Sequence, residues 1–338
     1  MKHRDNYWAL VLAAGDGRRL SELTTGSAGV PIPKQFCSLR GGPSLLQEAM
    51  RRAQAVAGRD QIAAVVAAGH RQWWREQLAA LKPENMIVQP RNCGTAVGVL
   101  LPLLHILERD PDARLVLLPS DHYVRDEVAL AEALRRAMNR GWSAGASILL
   151  LGLAPREADS ELGYIVPGSA TGTHHFAVER FVEKPAARVA ERLIEQGALW
   201  NAFIIVADAR ALLKLFERCC PEVVLAMREA LARPDPEARA QALEQLYSRL
   251  PELDFSRHIL QEQEQHLCVM PVADCGWSDL GTPQRVADVL ENVAWARPSD
   301  FPGSELPVLL SLADAHGRVG RSSRPRRAAA PMDRCAAG

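Results

Sequence analysis

The 338-residue sequence has no surplus of charge: Lys and Arg number 40, and so do Asp and Glu. Without a net field the chain has nothing to hold a nucleic acid or an acidic membrane surface, and the short basic run Arg318 to Arg327 does not change that. Small molecules are the expected partners. Also absent is any apolar run of membrane-spanning length, and the polar start, Met1 to Asn6, leads into an apolar strand too short for a signal peptide. The seven cysteines, Cys37, Cys93, Cys219, Cys220, Cys268, Cys275 and Cys335, show none of the paired spacing of a zinc or redox site. Reduced thiols and a cytoplasmic location are therefore expected. There is no internal repeat and no hexapeptide periodicity of a β-helix. What is present is a chain long enough, and at 48% hydrophobic residues apolar enough, to bury a large core without staples. Self-association into a homo-oligomer is left open.

Short apolar runs alternate with helical patterns along the first two thirds. Trp8 to Ala13, Ile62 to Ala68, Met86 to Gln89, Leu115 to Pro119 and Ser147 to Leu153 read as strands, and their rhythm implies an α/β fold with a parallel sheet. Ser44 to Val56 puts Leu45, Leu46, Ala49, Met50, Ala53 and Val56 on one helical face, behind a capping box of Ser44 and Gln47. Thr95 to Glu108 is helical with a kink expected at Pro102, and Glu127 to Asn139 sets Val128, Leu130, Ala131 and Leu134 over a charged face. After Leu153, Gly163 to Pro167 and Phe176 to Glu183 read as a smaller mixed or antiparallel sheet, and Leu199 to Ala207 as a strand returning to the main one. Ala209 to about Leu250 is helical, with breaks at Pro221, Pro234 and Pro251, before a strand at Leu267 to Val272 and a helix at Thr282 to Asn292. The expected organisation is one domain over 1–298, with halves of about 7–153 and 154–298, and a tail, 299–338, too rich in Pro, Gly, Ser, Arg and Ala to build a core.

Val11 to Leu20, Val-Leu-Ala-Ala-Gly-Asp-Gly-Arg-Arg-Leu, is a strand emptying into a glycine turn. Glycines let backbone N–H groups approach an anion and arginines neutralise it, so a phosphate fits; so does a plain strand-to-helix turn. No Gly-Lys-Ser/Thr follows, which excludes a Walker loop, and Leu20 stands where a dinucleotide fingerprint needs its third glycine. Further on, Pro31-Ile32-Pro33-Lys34-Gln35-Phe36 anchors a lysine behind a rigid proline, a good point charge for a triphosphate. Gln89 to Ala96 ends a strand and opens a helix, so its amide and free N–H groups can read a base edge or hold ribose and phosphate, or Asn92 or Thr95 can cap the helix. Asp121 closes a buried parallel strand, Leu117-Leu118-Pro119-Ser120-Asp121-His122, at the end where open α/β sheets bind ligands.

Taken together, L-A-A-G-x-G-x-R-L and P-K-Q-F resemble the sugar-nucleotide pyrophosphorylases, a nucleotidyltransferase family, and Gln35-Phe36 looks most like its mannose-1-phosphate guanylyltransferases. The resemblance continues in order to about residue 290, through Glu161-Leu162-Gly163-Tyr164-Ile165, Phe181-Val182-Glu183-Lys184-Pro185, Leu199-Trp200-Asn201-Ala202 and Gly276-Trp277-Ser278-Asp279-Leu280-Gly281-Thr282. It implies a Rossmann-like, mostly parallel sheet flanked by helices, with a smaller mixed sheet on the sugar side. The implied reaction joins an NTP, GTP first, to a hexose 1-phosphate, mannose 1-phosphate first, giving GDP-mannose and pyrophosphate.

By the same resemblance Leu12, Ala13, Gly15, Gly17, Gln89, Asn92, Gly94 and Thr95 bind the nucleotide, and Gly163, Glu183 and Asn201 bind sugar hydroxyls. Arg19 and Lys34 face the triphosphate, Lys184 takes the sugar phosphate, and Asp121 with Asp279 holds Mg²⁺. Residue chemistry agrees, since a hexose needs acceptors and amides, its phosphate a cation, and magnesium on phosphates one or two carboxylates. Without the resemblance, Asp279 reads as the N-cap of the last helix and Glu183-Lys184 as a solvated strand end. A sugar phosphate is already ionised at neutral pH, so no general base is required, and catalysis reduces to positioning and charge neutralisation.

Three positions depart from the family's wording: Arg18 where a small hydroxyl residue is usual, Cys93 where guanylyltransferases have arginine, and Phe203 where the W-N-x-G form has glycine. Ser21 to Pro31 also lacks the usual tryptophan-proline-leucine. These departures leave open a uridylyl- or thymidylyltransferase for another hexose, and a regulatory relative without turnover. Retention of Arg19, Lys34, Asp121, Lys184 and Asp279 speaks against the second.

Overall fold

The computed structural model describes residues 6–25, 29–39, 41–139 and 147–291; the tail expected over 299–338 and the side chain of Arg18 lie outside what it describes. Strand β1 (Tyr7–Ala13) is buried on both faces, as a strand covered by helices on each side must be. It pairs in parallel with β2 (Ile62–Ala67) and β4 (Arg114–Pro119), and β2 pairs in parallel with β3 (Met86–Gln89). The remaining strands are mixed in direction. β8 (Leu199–Asp208) runs antiparallel between β4 and β5 (Ile148–Leu153), and β9 (Leu267–Val272) lies parallel to β5. β6 (Tyr164–Ala170) and β7 (Phe176–Val182) complete a single nine-stranded sheet of order β3-β2-β1-β4-β8-β5-β9-β7-β6. The smaller sheet expected after Leu153 is thus not separate, because β7 pairs with β9 and β6 reaches back to β8.

Alternate residues of β1 divide the core. Ala9, Val11 and Ala13 pack under α2 (Leu45–Gln54), α3 (Arg71–Gln77), α5 (Glu127–Asn139) and α6 (Ala187–Glu195). Trp8 and Leu10 pack under α4 (Thr95–Arg109), α7 (Ala209–Cys219), α8 (Pro221–Leu231) and the end of α9 (Pro236–Tyr247). The short α1 (Ser21–Thr24) and the last helix α10 (Pro283–Glu291) close a third cluster around Leu20, Leu23 and Val286. The capping box of α2 forms as expected, with Ser44 and Gln47 bonded reciprocally at 3.1 and 3.0 Å. Pro102 is accommodated inside an unbroken α4. Val128 departs from expectation: it is 69% exposed, because the buried stripe of α5 is Leu130, Ala133, Leu134, Ala137 and Met138, and a residue two places before Leu130 falls on the opposite side.

No helix among the described residues is long and apolar enough to cross a membrane, and the six described cysteines are unpaired. Three non-glycine residues among those described have positive φ: Lys184 at 48°, Phe203 at 54° and Leu280 at 50°. Each such residue costs on the order of 1–3 kcal/mol and persists where the surrounding structure over-determines it. All three fall in the segments expected to build the site.

Candidate active site

A cavity of about 340 Å³ opens where the glycine turn, the β4 end and the β6–β8 segments converge. Every residue expected at the site lines it except Ala13 and Lys34. Ala13 is fully buried in the core and contributes a carbonyl, which accepts from Gln35 Nε2 at 3.2 Å. The same amide donates to the Gly15 carbonyl at 2.7 Å, so Gln35 frames the start of the glycine turn. Gly17 completes it: at φ 63° it sits against the Lys34 backbone, where a Cβ would come within 2.9 Å of the amide nitrogen. Pro-Lys-Gln-Phe is therefore the support on which the turn is folded.

Lys34 is 4% exposed and stands behind the cavity wall. Its ammonium pairs with Asp121 Oδ2 at 3.0 Å and donates to the carbonyls of Asp279, at 2.6 Å, and Leu280, at 3.3 Å. One cation thus joins the two acidic motifs, which are 158 residues apart in sequence (279 − 121). Burial pushes the Asp121 carboxyl up, but Lys34, His122 and Arg19 outweigh it and the net shift is downward. For Asp279 burial prevails over Lys34 and the Gly281 N–H, with Asp121 adding to the rise. Asp279 Oδ1 accepts from the Gly281 N–H at 3.0 Å and pairs with Arg285 of α10, so it does not cap that helix. His122 accepts at Nδ1 from Trp277 Nε1 at 3.2 Å and faces Asp121 with Nε2. Burial lowers its pKa to about 4, so a neutral ring orients the carboxylate.

Near the β3 end, Gln89 is 1% exposed, and neither its amide nitrogen nor its oxygen has a partner among the described residues. Buried amides are ordinarily hydrogen-bonded, and this one lines the cavity with both functions free. Asn92 and Thr95 do not cap α4. Asn92 Oδ1 accepts from the Gly94 N–H at 3.0 Å, and Thr95 Oγ1 accepts from Phe255 N–H at 2.7 Å. Cys93, buried against Tyr247, does not reach the cavity. Arg19 makes an ion pair at 3.1 Å with Glu161, both half-exposed, linking the glycine turn to the segment before β6.

Gly163 stands close to two of the groups expected to bind sugar hydroxyls: a Cβ on it would lie 2.6 Å from Glu183 Oε2, the mobile end of that side chain, and 3.3 Å from Asn201 Cβ.

Burial, and then Asp254, pushes the Glu183 carboxyl from 4.5 up to about 7. The folded protein holds this proton more tightly than the unfolded chain in that window, so the contribution to stability is complete below it and lost as pH rises through it. Glu183→Gln removes the loss. Its thermal melt is expected near the wild type's at pH 5 and above it at pH 8, by at most about 3 kcal/mol.

Glu252, Asp254 and Ser256 also line the cavity and were not foreseen. In sequence they follow Pro251 in a segment marked only by a helix break. Backbone bonds bring them in: Leu253 N–H donates to Cys93 O at 3.0 Å, and Ala96 N–H to Leu253 O at 2.9 Å.

A model of the Nucleotidyl transferase family matches residues 8–294. The chain belongs to that family. Among curated nucleotidyl transferase relatives, the mannose-1-phosphate guanylyltransferase RfbM of Salmonella typhimurium is 27% identical over 84% of this chain and 59% of its own length. The xanthan biosynthesis protein XanB of Xanthomonas campestris is 30% identical over 83% of this chain and 59% of its own. The chain thus spans about three fifths of the curated relatives it matches. A solved structure described as a mannose-1-phosphate geranyltransferase from Thermus thermophilus superposes with a TM-score of 0.70 at 28% identity, covering 82% of this chain and 76% of that one.

Proposed function

We propose that this nucleotidyl transferase moves a nucleotidyl group from an NTP, GTP first, to a hexose 1-phosphate, mannose 1-phosphate first, releasing pyrophosphate. The observation that carries the reading is a single cavity lined by the glycine turn and Gln89, by Asp121 and Asp279, and by Glu183, Lys184 and Asn201. The names of the relatives favour mannose 1-phosphate and guanylyl transfer. Gln89 supplies one donor and one acceptor to a base edge, Asn201 and Glu183 meet sugar hydroxyls, and exposed Lys184 offers a cation to the sugar phosphate. A phosphate oxygen of the sugar phosphate attacks the α-phosphorus as pyrophosphate leaves. Held in one cavity, the two substrates react as neighbours, and Arg19 neutralises charge on the departing side.

The residues present fit a magnesium ion. No group of three His, Cys, Asp or Glu gathers among the described residues, while Asp121 and Asp279 both line the cavity, and Mg²⁺ on phosphates takes one or two carboxylates with water and phosphate oxygens completing its shell. Asp121 and Asp279 would hold it, and when bound it neutralises phosphate charge. The test is a screen of GTP, ATP, UTP and dTTP against mannose 1-phosphate and glucose 1-phosphate by pyrophosphate release. Highest kcat/KM for GTP with mannose 1-phosphate is expected; preference for UTP or dTTP with glucose 1-phosphate would contradict the specificity.

A further inference from the structure

We propose that Phe203 determines the sugar specificity of this site, restricting it to hexose 1-phosphates without a bulky ring substituent; the inference rests on the reading above. β8 bulges beside the cavity. Leu150 faces Ile205 while Gly152 faces Asn201, so residues 202–204 are pushed out of the ladder. Phe203 lies within this bulge at φ 54°, a left-handed backbone suited to glycine and strained for a bulky residue. Its N–H donates to Asn201 Oδ1 at 3.0 Å, which ties the bulge to a group that meets sugar hydroxyls. Phe203 lines the cavity, and its ring is met by Phe255 at 5.9 Å in a T-shaped contact. Phe255 is fully buried and lies 5.6 Å from Phe216, so the ring has a rigid backing.

The surroundings of that ring are the sugar cluster. Asn201 Nδ2 reaches Ser256 Oγ at 3.4 Å, Ser256 adjoins Phe255, and Asn201 and Glu183 both press on Gly163. A glycine would satisfy the backbone and leave its volume to the ligand; phenylalanine fills that volume despite the strain. An apolar wall there accepts the C–H face of a pyranose and opposes an acetamido group, whose polar atoms would lose water without gaining a partner.

The experiment measures kcat/KM for mannose 1-phosphate, glucose 1-phosphate and N-acetylglucosamine 1-phosphate with wild type, Phe203→Ala and Phe203→Gly. Wild type is expected to favour the unsubstituted sugars. Both variants are expected to narrow that preference by roughly 10-fold or more, through the KM of the acetamido sugar, with the KM for the nucleotide within about 2-fold. Phe203→Gly relieves the backbone strain, so one variant remains informative if the other fails to melt cooperatively. An unchanged preference in a cooperatively melting variant overturns the proposal, as does a wild type that favours N-acetylglucosamine 1-phosphate. No turnover of any sugar phosphate by wild type overturns nucleotidyl transfer itself, and this inference with it.

Discussion

Asp121→Asn is expected to lower the rate of pyrophosphate release by at least about 10²-fold while leaving the circular dichroism spectrum unchanged, and Asp279→Asn to do the same. The two side chains are isosteric with asparagine, so the cavity keeps its shape. What is lost is negative charge at the two positions proposed to hold a divalent cation. Lys34 pairs with Asp121, which His122 faces from its bond to Trp277, and Arg285 and the Gly281 N–H hold Asp279. Near-normal turnover by either variant contradicts the metal assignment.

Lys34→Met is expected to act on stability as well as on turnover. In the ligand-free protein its ammonium satisfies Asp121 and two carbonyls, one of them on Leu280, whose φ of 50° marks a strained turn. Removing it takes a charged donor from all three acceptors. Asp121 is 38% exposed and regains some water, so the expected loss is about 1–3 kcal/mol rather than that of a fully buried pair. Denaturant unfolding without substrates measures it. A lysine that touched only the triphosphate would give unchanged stability and a raised KM for the nucleotide. Arginine is not expected to rescue, because its planar fork does not fit a site built around a compact ammonium.

Much of this arrangement was legible in the sequence because it depends on local pattern. The β1 run, the capping box of Ser44 and Gln47, and the carboxylate at the β4 end each follow from neighbouring residues alone. The position of Lys34 does not. Whether an ammonium faces a ligand or a wall is decided by Asp121 and Asp279, far along the chain. Glu252, Asp254 and Ser256 were invisible for the same reason, since backbone bonds from Leu253 to Cys93 and Ala96, rather than any motif, carry them to the cavity. Phe203 could be recognised as out of place, but its positive φ and its backing by Phe255 belong to the fold. The single sheet shows the same limit: strand texture changes after Leu153, yet pairing of β7 with β9 is non-local and leaves no mark in the run of residues.

The most direct measurement of the central claim is pyrophosphate release by the purified protein with GTP, mannose 1-phosphate and Mg²⁺, each omitted in turn. Pyrophosphate is expected in equal amounts with GDP-mannose, and only when all three are present. Pyrophosphate formed without the sugar phosphate, or none with any nucleotide and sugar phosphate tried, would contradict the account.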